Sequence, residues 1–226
     1  MKGNAFITSE LGLFFNAAAM ANVADNASVA PLTNLFLALH TANPGAAGNQ
    51  STSEAAYVGY ARQPVLRTSG GFTVAGQSVS LAAAVTFPAA PTGATDILTF
   101  WSVGTLVSGA GQVFYSGPIG SNLGVGTGAI TNIITIPGLT GVAVNDRITF
   151  EAPTGGAIPT GIVAGTVYFV LTVSGANITV SGTLAGPVVV ITVAGQVLAY
   201  KVTPVVTGGG VSVTPQLTTG TTITEQ

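Results

Sequence analysis

The sequence predicts a mostly β protein, and three observations carry that expectation. Apolar residues come in short runs bounded by Gly, Pro and Asn. The runs are rich in Val, Thr, Phe and Tyr, and only one segment has helical periodicity. Many short strands with Gly-rich turns indicate a sandwich, a jelly roll or a barrel. With 226 residues the chain is long enough for one large domain or two small ones, each with a real core.

The helix is expected over residues 9–24, where Leu11, Phe14, Phe15, Ala18 and Val23 share an apolar face. Thr8-Ser9-Glu10 supplies a capping hydroxyl and an acid for its first turn. Phe14 and Phe15 are adjacent and cannot both sit at the centre of one narrow stripe. Leu11, Phe14 and Ala18 are expected to pack on the rest of the domain that carries the helix, and Phe15 or Met20 to meet a partner subunit. The same opening could pass for a secretion signal, but Glu10 and Asn16 interrupt its apolar centre. No run approaches the ~18 apolar residues of a membrane helix, and no regular aromatic girdles suggest a membrane barrel.

After "ADNASVAP" the pattern turns to strands: Leu35–Thr41, Tyr57–Thr68, Phe72–Leu81, Ala84–Phe87, Ile97–Val103 and Gln112–Ser116. "TSGG" before Phe72 reads as a hairpin turn and "GTLVSGAG" as a looser one. "GQVFYSGPI" (111–119) is echoed by "GQVLAYKVTP" (195–204). Between them the texture changes. A Gly-rich joint, "GSNLGVGTG", leads into further strands at Ile130–Ile136, Arg147–Glu151, Val167–Val173, Asn177–Ser181 and Val188–Val193. Residues 118–195 therefore read as a small β domain inserted in a strand connection of a parent domain, 1–117 plus 196–226; such insertions are well tolerated. A tandem repeat is the competing reading, but the helix and the polar 41–56 loop recur nowhere.

Charge narrows the function. Five basic and seven acidic residues make up 5% of the chain, against about 25% in a typical soluble protein. So sparse a charge does little to keep copies apart, which suits a subunit of a large assembly. Lys2, Arg62, Arg67, Arg147 and Lys201 are scattered and form no basic stripe, so nucleic acid is not an expected partner. The absence of cysteine excludes disulfides, thiol catalysis and Cys-ligated metals.

His40, in "LFLALHTANPG", is the only histidine. A catalytic role needs a nucleophile and an orienting group, and the nearby Thr41, Asn43, Ser51, Ser53 and Glu54 show no triad spacing. A strand-end histidine bonded to a loop is the expectation. One His and no Cys cannot close a zinc site. Asp146 and Glu151, the nearest carboxylate pair, fall on opposite faces of a strand, which does not suit glycoside hydrolysis. "GVGTG" at 124–128 lacks the following helix and lysine of a phosphate loop and reads as a flexible joint. The sequons at Asn26, Asn49 and Asn177 lack a secretion signal to give them meaning. In "TFWSV", alternation puts Phe100 opposite Trp101, so one packs inward and the other, taken to be Trp101, is available to an interface. No catalytic residue, cofactor or metal is expected.

The stretch "LTNLFLALHTANPGAAGNQSTSEAAYVGYARQPVLRTSGGFTV", with "VTFPAAPTGATDILTFWSVGT", "SGAGQVFYSG" and "VTPQLTTGTTITEQ", resembles a family of short virion structural proteins of tailed bacteriophages, the capsid cement (decoration) proteins. Some relatives carry the label of tail-fibre proteins. The resemblance covers both ends of the parent domain. It implies a jelly-roll-like β-sandwich with one N-terminal helix, located on the outer surface of the capsid. There it would bind the major capsid protein and stabilise the shell, as a homo-oligomer (dimer or trimer). The insert departs from this pattern; "NDRITFEAPTGGAIPTGIVAGTVYFV" is similar to small β modules of phage tail and surface proteins. That implies the alternative of a tail-fibre or head-fibre adhesin touching host glycans through the insert.

Overall fold

A computed structural model describes residues 4–20, 31–207 and 211–224. The chain runs through α1 (Asn4–Asn16), β1 (Asn34–His40), β2 (Gln63–Leu66), β3 (Phe72–Ala75), β4 (Ser78–Leu81) and β5 (Val85–Thr86). Then come β6 (Ile97–Leu98), β7 (Phe100–Gly104), β8 (Val113–Pro118), β9 (Gly120–Gly128), β10 (Ile134–Thr135) and β11 (Arg147–Glu151). It closes with β12 (Val167–Ser174), β13 (Asn177–Ser181), β14 (Gly195–Val202), β15 (Val205–Val206), β16 (Gln216–Leu217) and β17 (Thr222–Thr224). Two compact units result, 1–117 with 205–226 and 118–204.

The first unit is an antiparallel β-sandwich with one helix. One sheet has the order β2-β1-β7-β8 and the other β17-β4-β3. Leu37, Trp101 and Val103 of the first face Phe72, Val79 and Ile223 of the second across a small apolar cavity. The segment 78–98 also forms an antiparallel ribbon with the end of the chain, through β6–β15, β5–β16 and β4–β17.

The helix starts earlier and ends sooner than its sequence suggests, and it presents a different face. Ile7, Leu11 and Phe15, at i, i+4 and i+8, are wholly buried, whereas Phe14 is 38% exposed and Ala18 is exposed. Phe15 packs edge-on against Phe72, with ring centroids 5.0 Å apart, and beside Tyr115. It is a core residue and not a partner contact. Met20 is half-buried. Thr8 and Ser9 do not cap. Ser9 bonds the Ala5 carbonyl one turn back and Thr8 bonds the Gly76 carbonyl, which hydroxyls can do inside a helix. The end is set by Ala17, which takes a left-handed conformation, and by Arg67, whose guanidinium donates to the Leu13 and Phe14 carbonyls. Val23 lies outside the described residues.

Several strands are trimmed by where their hydrogen bonds go. Of 57–68 only β2 is strand, because Tyr57 and Tyr60 belong to a folded loop. The run 97–103 breaks at Thr99, whose N–H bonds His40 and whose hydroxyl bonds Thr41 as the chain changes partner from β15 to β1. "TSGG" is a tight turn from one sheet to the other, and the hairpin lies at Gly76, between β3 and β4.

The second unit is a closed six-stranded antiparallel barrel, β10-β13-β12-β11-β14-β9. Ile134, Ile148, Phe150, Tyr168, Val170 and Val197 belong to its buried core. "GSNLGVGTG" is no flexible joint. It is β9, a nine-residue strand; Gly120, Gly126 and Gly128 are there because neighbouring backbone or side chains are close, and Gly124 because its φ is positive. A Cβ at Gly126 would lie 2.5 Å from the Thr135 carbonyl oxygen, and one at Gly128 2.6 Å from Pro159. Residues 196–204 likewise belong to the barrel and not to the parent. β14 pairs with both β9 and β11 and completes the closure. The expected strand Val188–Val193 makes only single bridges, Val188 to Ser181 and Val193 to Thr160, since its two ends meet different neighbours. The 130–136 run shortens to β10 for want of partners beyond β9 and β13.

Candidate interaction platform on the sandwich unit

His40 ends β1 wholly buried. Its Nδ1 lies 2.9 Å from the Thr52 carbonyl oxygen and its Nε2 2.7 Å from Ser102 Oγ. A carbonyl only accepts, so Nδ1 carries the proton and Nε2 accepts from the Ser102 hydroxyl. This is the contact of a nucleophile with its base, but Ser102 is also wholly buried, and no substrate can reach it. Burial holds the His40 pKa below the ordinary value, against the opposing pull of the Thr52 bond and of Glu54.

The cover over this pair is the 41–62 loop. Where β2 stops pairing with β1, the loop takes over: Ala55 N–H donates to Leu39, Thr41 N–H donates to Ser53, and the Tyr60 hydroxyl accepts from Leu39 N–H. Burial raises the pKa of Tyr60, and that of Tyr57 is pushed up to about 12 by burial and the Asp96 charge. Asp96 accepts the Ala56 and Tyr57 N–H groups, and the Tyr57 hydroxyl donates to the Pro88 carbonyl. The sheet is thus covered on both faces, and β7 is buried along its whole length. Phe100 and Trp101 are therefore both inside. Trp101 faces the sandwich interior and offers nothing to a partner.

Two buried polar side chains tie the loop to the β7–β8 hairpin. Arg62 makes a bidentate pair with Glu54 (Nε–Oε1 2.6 Å, Nη2–Oε2 2.7 Å) and donates to the Leu106 and Gly109 carbonyls. Gln50 donates to the Phe36 carbonyl and accepts from Leu106 N–H. A Cβ at Gly104 or Gly111 would run into the Gln50 side chain, so both glycines are there to admit it. The result is a fixed platform of two loops whose ion pair is neutralised internally. Above it the hairpin tip exposes Leu106 (47%) and Val107 (60%), and Val58 stands out from the loop (81%). None of these contacts has a signature in the sequence, because each joins residues some 8–62 positions apart.

The carboxylates nearest in sequence, Asp146 and Glu151, are not brought together. Asp146 is bridged to Lys201 at 2.8 Å, while half-buried Glu151 lies at the far end of β11 with its pKa raised by burial. Arg147 stacks over Phe169. Among the described residues no three His, Asp or Glu side chains are grouped to hold a metal, and no helix is long and apolar enough to cross a membrane.

A sandwich with apolar loop tips on an internally braced base, and a closed barrel beside it in the chain, define a β-rich protein. The chain belongs to the family described as podophage GP4 fiber I protein gp80, whose model matches residues 15–140, more than half of its length. It is a virion structural protein of a bacteriophage. At that level the family agrees with the resemblance read from the sequence, although its description is of a fibre and not of capsid cement. No curated protein matches the chain.

Proposed function

We propose that the chain is a non-enzymatic building block of a fibre on the phage particle, joined to neighbouring subunits through the uncharged loop platform of the sandwich unit. The observation that carries this is the Glu54–Arg62–Gln50 bracing beneath exposed Leu106 and Val107. A surface held rigid before contact loses little conformational entropy on docking. Its contacts are apolar and hydrogen-bonding, so salt screens them little. Many copies then add by effective concentration, on the order of 10²–10⁴-fold over one contact. The barrel is the module available to host-surface glycans.

The second reading is capsid cement that binds the major capsid protein on the outer shell, favoured by the sequence resemblance over 32–74. A protein that binds the assembled shell and not its free subunits stabilises the particle by mass action. Particles lacking the protein separate the two. A fibre block leaves them heat-stable but slow to adsorb, and native protein restores adsorption while L106D/V107D protein does not. Cement leaves adsorption intact and lets DNA escape at lower temperature. Unchanged particles would overturn both.

A further inference from the structure

The end of the chain carries three short strands of the sandwich unit, β15, β16 and β17. It pairs antiparallel with 78–98 at Val205↔Leu98 and Val206↔Ile97, at Ala90↔Val213, and at Thr222↔Ser80 and Ile223↔Val79. The register slips by one residue between Val213 and Gln216, and the extra residue lies on the 78–98 side. The inner face of the segment is anchored by buried Thr207, Pro215 and Leu217.

Among the described residues its outer edge pairs with no other strand. Each of β15, β16 and β17 is the last strand of its sheet, with a neighbour on one side only. Val213 exchanges both backbone bonds with Ala90, so alternation turns the N–H and C=O of Ser212 and Thr214 outward. Pro215 gives its carbonyl inward to Phe87, so its missing N–H lies on the inner side and the outer edge loses nothing. Natural edges are usually blunted by Lys, by inward charges or by a bulge that twists the edge away. This one has no charged residue from Val205 to Thr224 and is rich in Val and Thr. The one irregularity falls on the other strand.

We propose that two copies of this chain associate by antiparallel pairing of their 211–217 edges across a two-fold axis centred near Thr214. The absence of charge favours a second copy over other occupants. Antiparallel self-pairing about this axis sets Thr214 opposite itself, Val213 opposite Pro215 and Ser212 opposite Gln216, so the uncharged edges meet with no like-charge pair and no charge to desolvate. The two-fold contact uses none of the exposed platform residues Val58, Leu106 and Val107, and the inference does not depend on whether the particle uses the chain as fibre or cement.

The mass of the full chain in solution, by light scattering at micromolar concentration, is the test. The native chain should have the mass of a dimer, and so should V58K, which alters the loop platform. T214K, which sets two ammonium groups face to face at the axis, should be monomeric and still unfold cooperatively, with the midpoint that the native chain shows when diluted below its dimerisation range. Hydrogen exchange on the native chain needs no variant: the Ser212 and Thr214 amides should slow at least tenfold as concentration rises through the dimerisation range. A monomeric native chain, a T214K dimer, a V58K monomer or concentration-independent exchange at these two amides would each overturn the proposal.

Discussion

The hydroxyl of Ser102 lies 2.7 Å from Nε2 of His40, inside the sandwich and closed off by the 41–62 loop. The pair fixes the tautomer of the ring and joins β7 to the loop through Thr52, so it is a brace and its chemistry is expressed as stability.

Because burial lowers the folded pKa of His40, the unfolded chain binds the extra proton more readily. The stabilising contribution is complete above the unfolded value of about 6.5 and is lost as pH falls through the lower folded value. Glu54 favours the charged ring and Arg62 opposes it, and neither reverses the direction. The thermal midpoint should therefore be level from pH 7 to 8 and fall between pH 6.5 and 5. H40N should melt lower but lose that slope. S102A strands a buried acceptor and should cost about 1–3 kcal/mol in denaturant melts.

Arg62 holds both loops, and its role depends on a planar fork that lysine lacks. R62K should cost about 2 kcal/mol and R62A about 3 kcal/mol or more, since Glu54 is left partly buried without its partner. Proteolysis should then cut first within 104–111, the hairpin that Arg62 ties down.

The two adjacent phenylalanines of α1 should behave as opposites. F15A empties a site packed by Phe72 and Tyr115 and should cost about 3–4 kcal/mol. F14A, which loses only a partly exposed contact with Phe114, should stay under about 1 kcal/mol. Equal losses on urea unfolding would refute the assigned face.

In the barrel, G126A pushes a methyl into the Thr135 carbonyl and Ile136 and should destabilise by about 1–3 kcal/mol. G182A meets nothing within 4 Å and should be neutral. A joint of free linker would tolerate both equally.

Residues 118–204, expressed alone, should fold cooperatively, since their ends are already held together by the Thr203 N–H to Ile119 carbonyl bond. Cutting at 195 removes β14 and should leave an unfolded product by circular dichroism.

The sequence by itself determined the class of the fold and strands such as Arg147–Glu151 and Asn177–Ser181, whose alternation and flanking turns are local signals. It also determined that His40 ends a strand. Tertiary structure decided what local signals cannot carry. Phe14 and Phe15 have the same propensity, and only the position of Phe72 and Tyr115 selects the one that is buried. Gly120, Gly126 and Gly128 read as slack in one dimension, whereas in three they admit close neighbours of a strand. The second "GQV" matches the first in sequence but closes the barrel, because pairing depends on which edge is open and not on likeness. Ser102, Gln50 and Arg62 became the frame of the platform for the same reason: each bonds a partner that folding, not spacing, brings within reach.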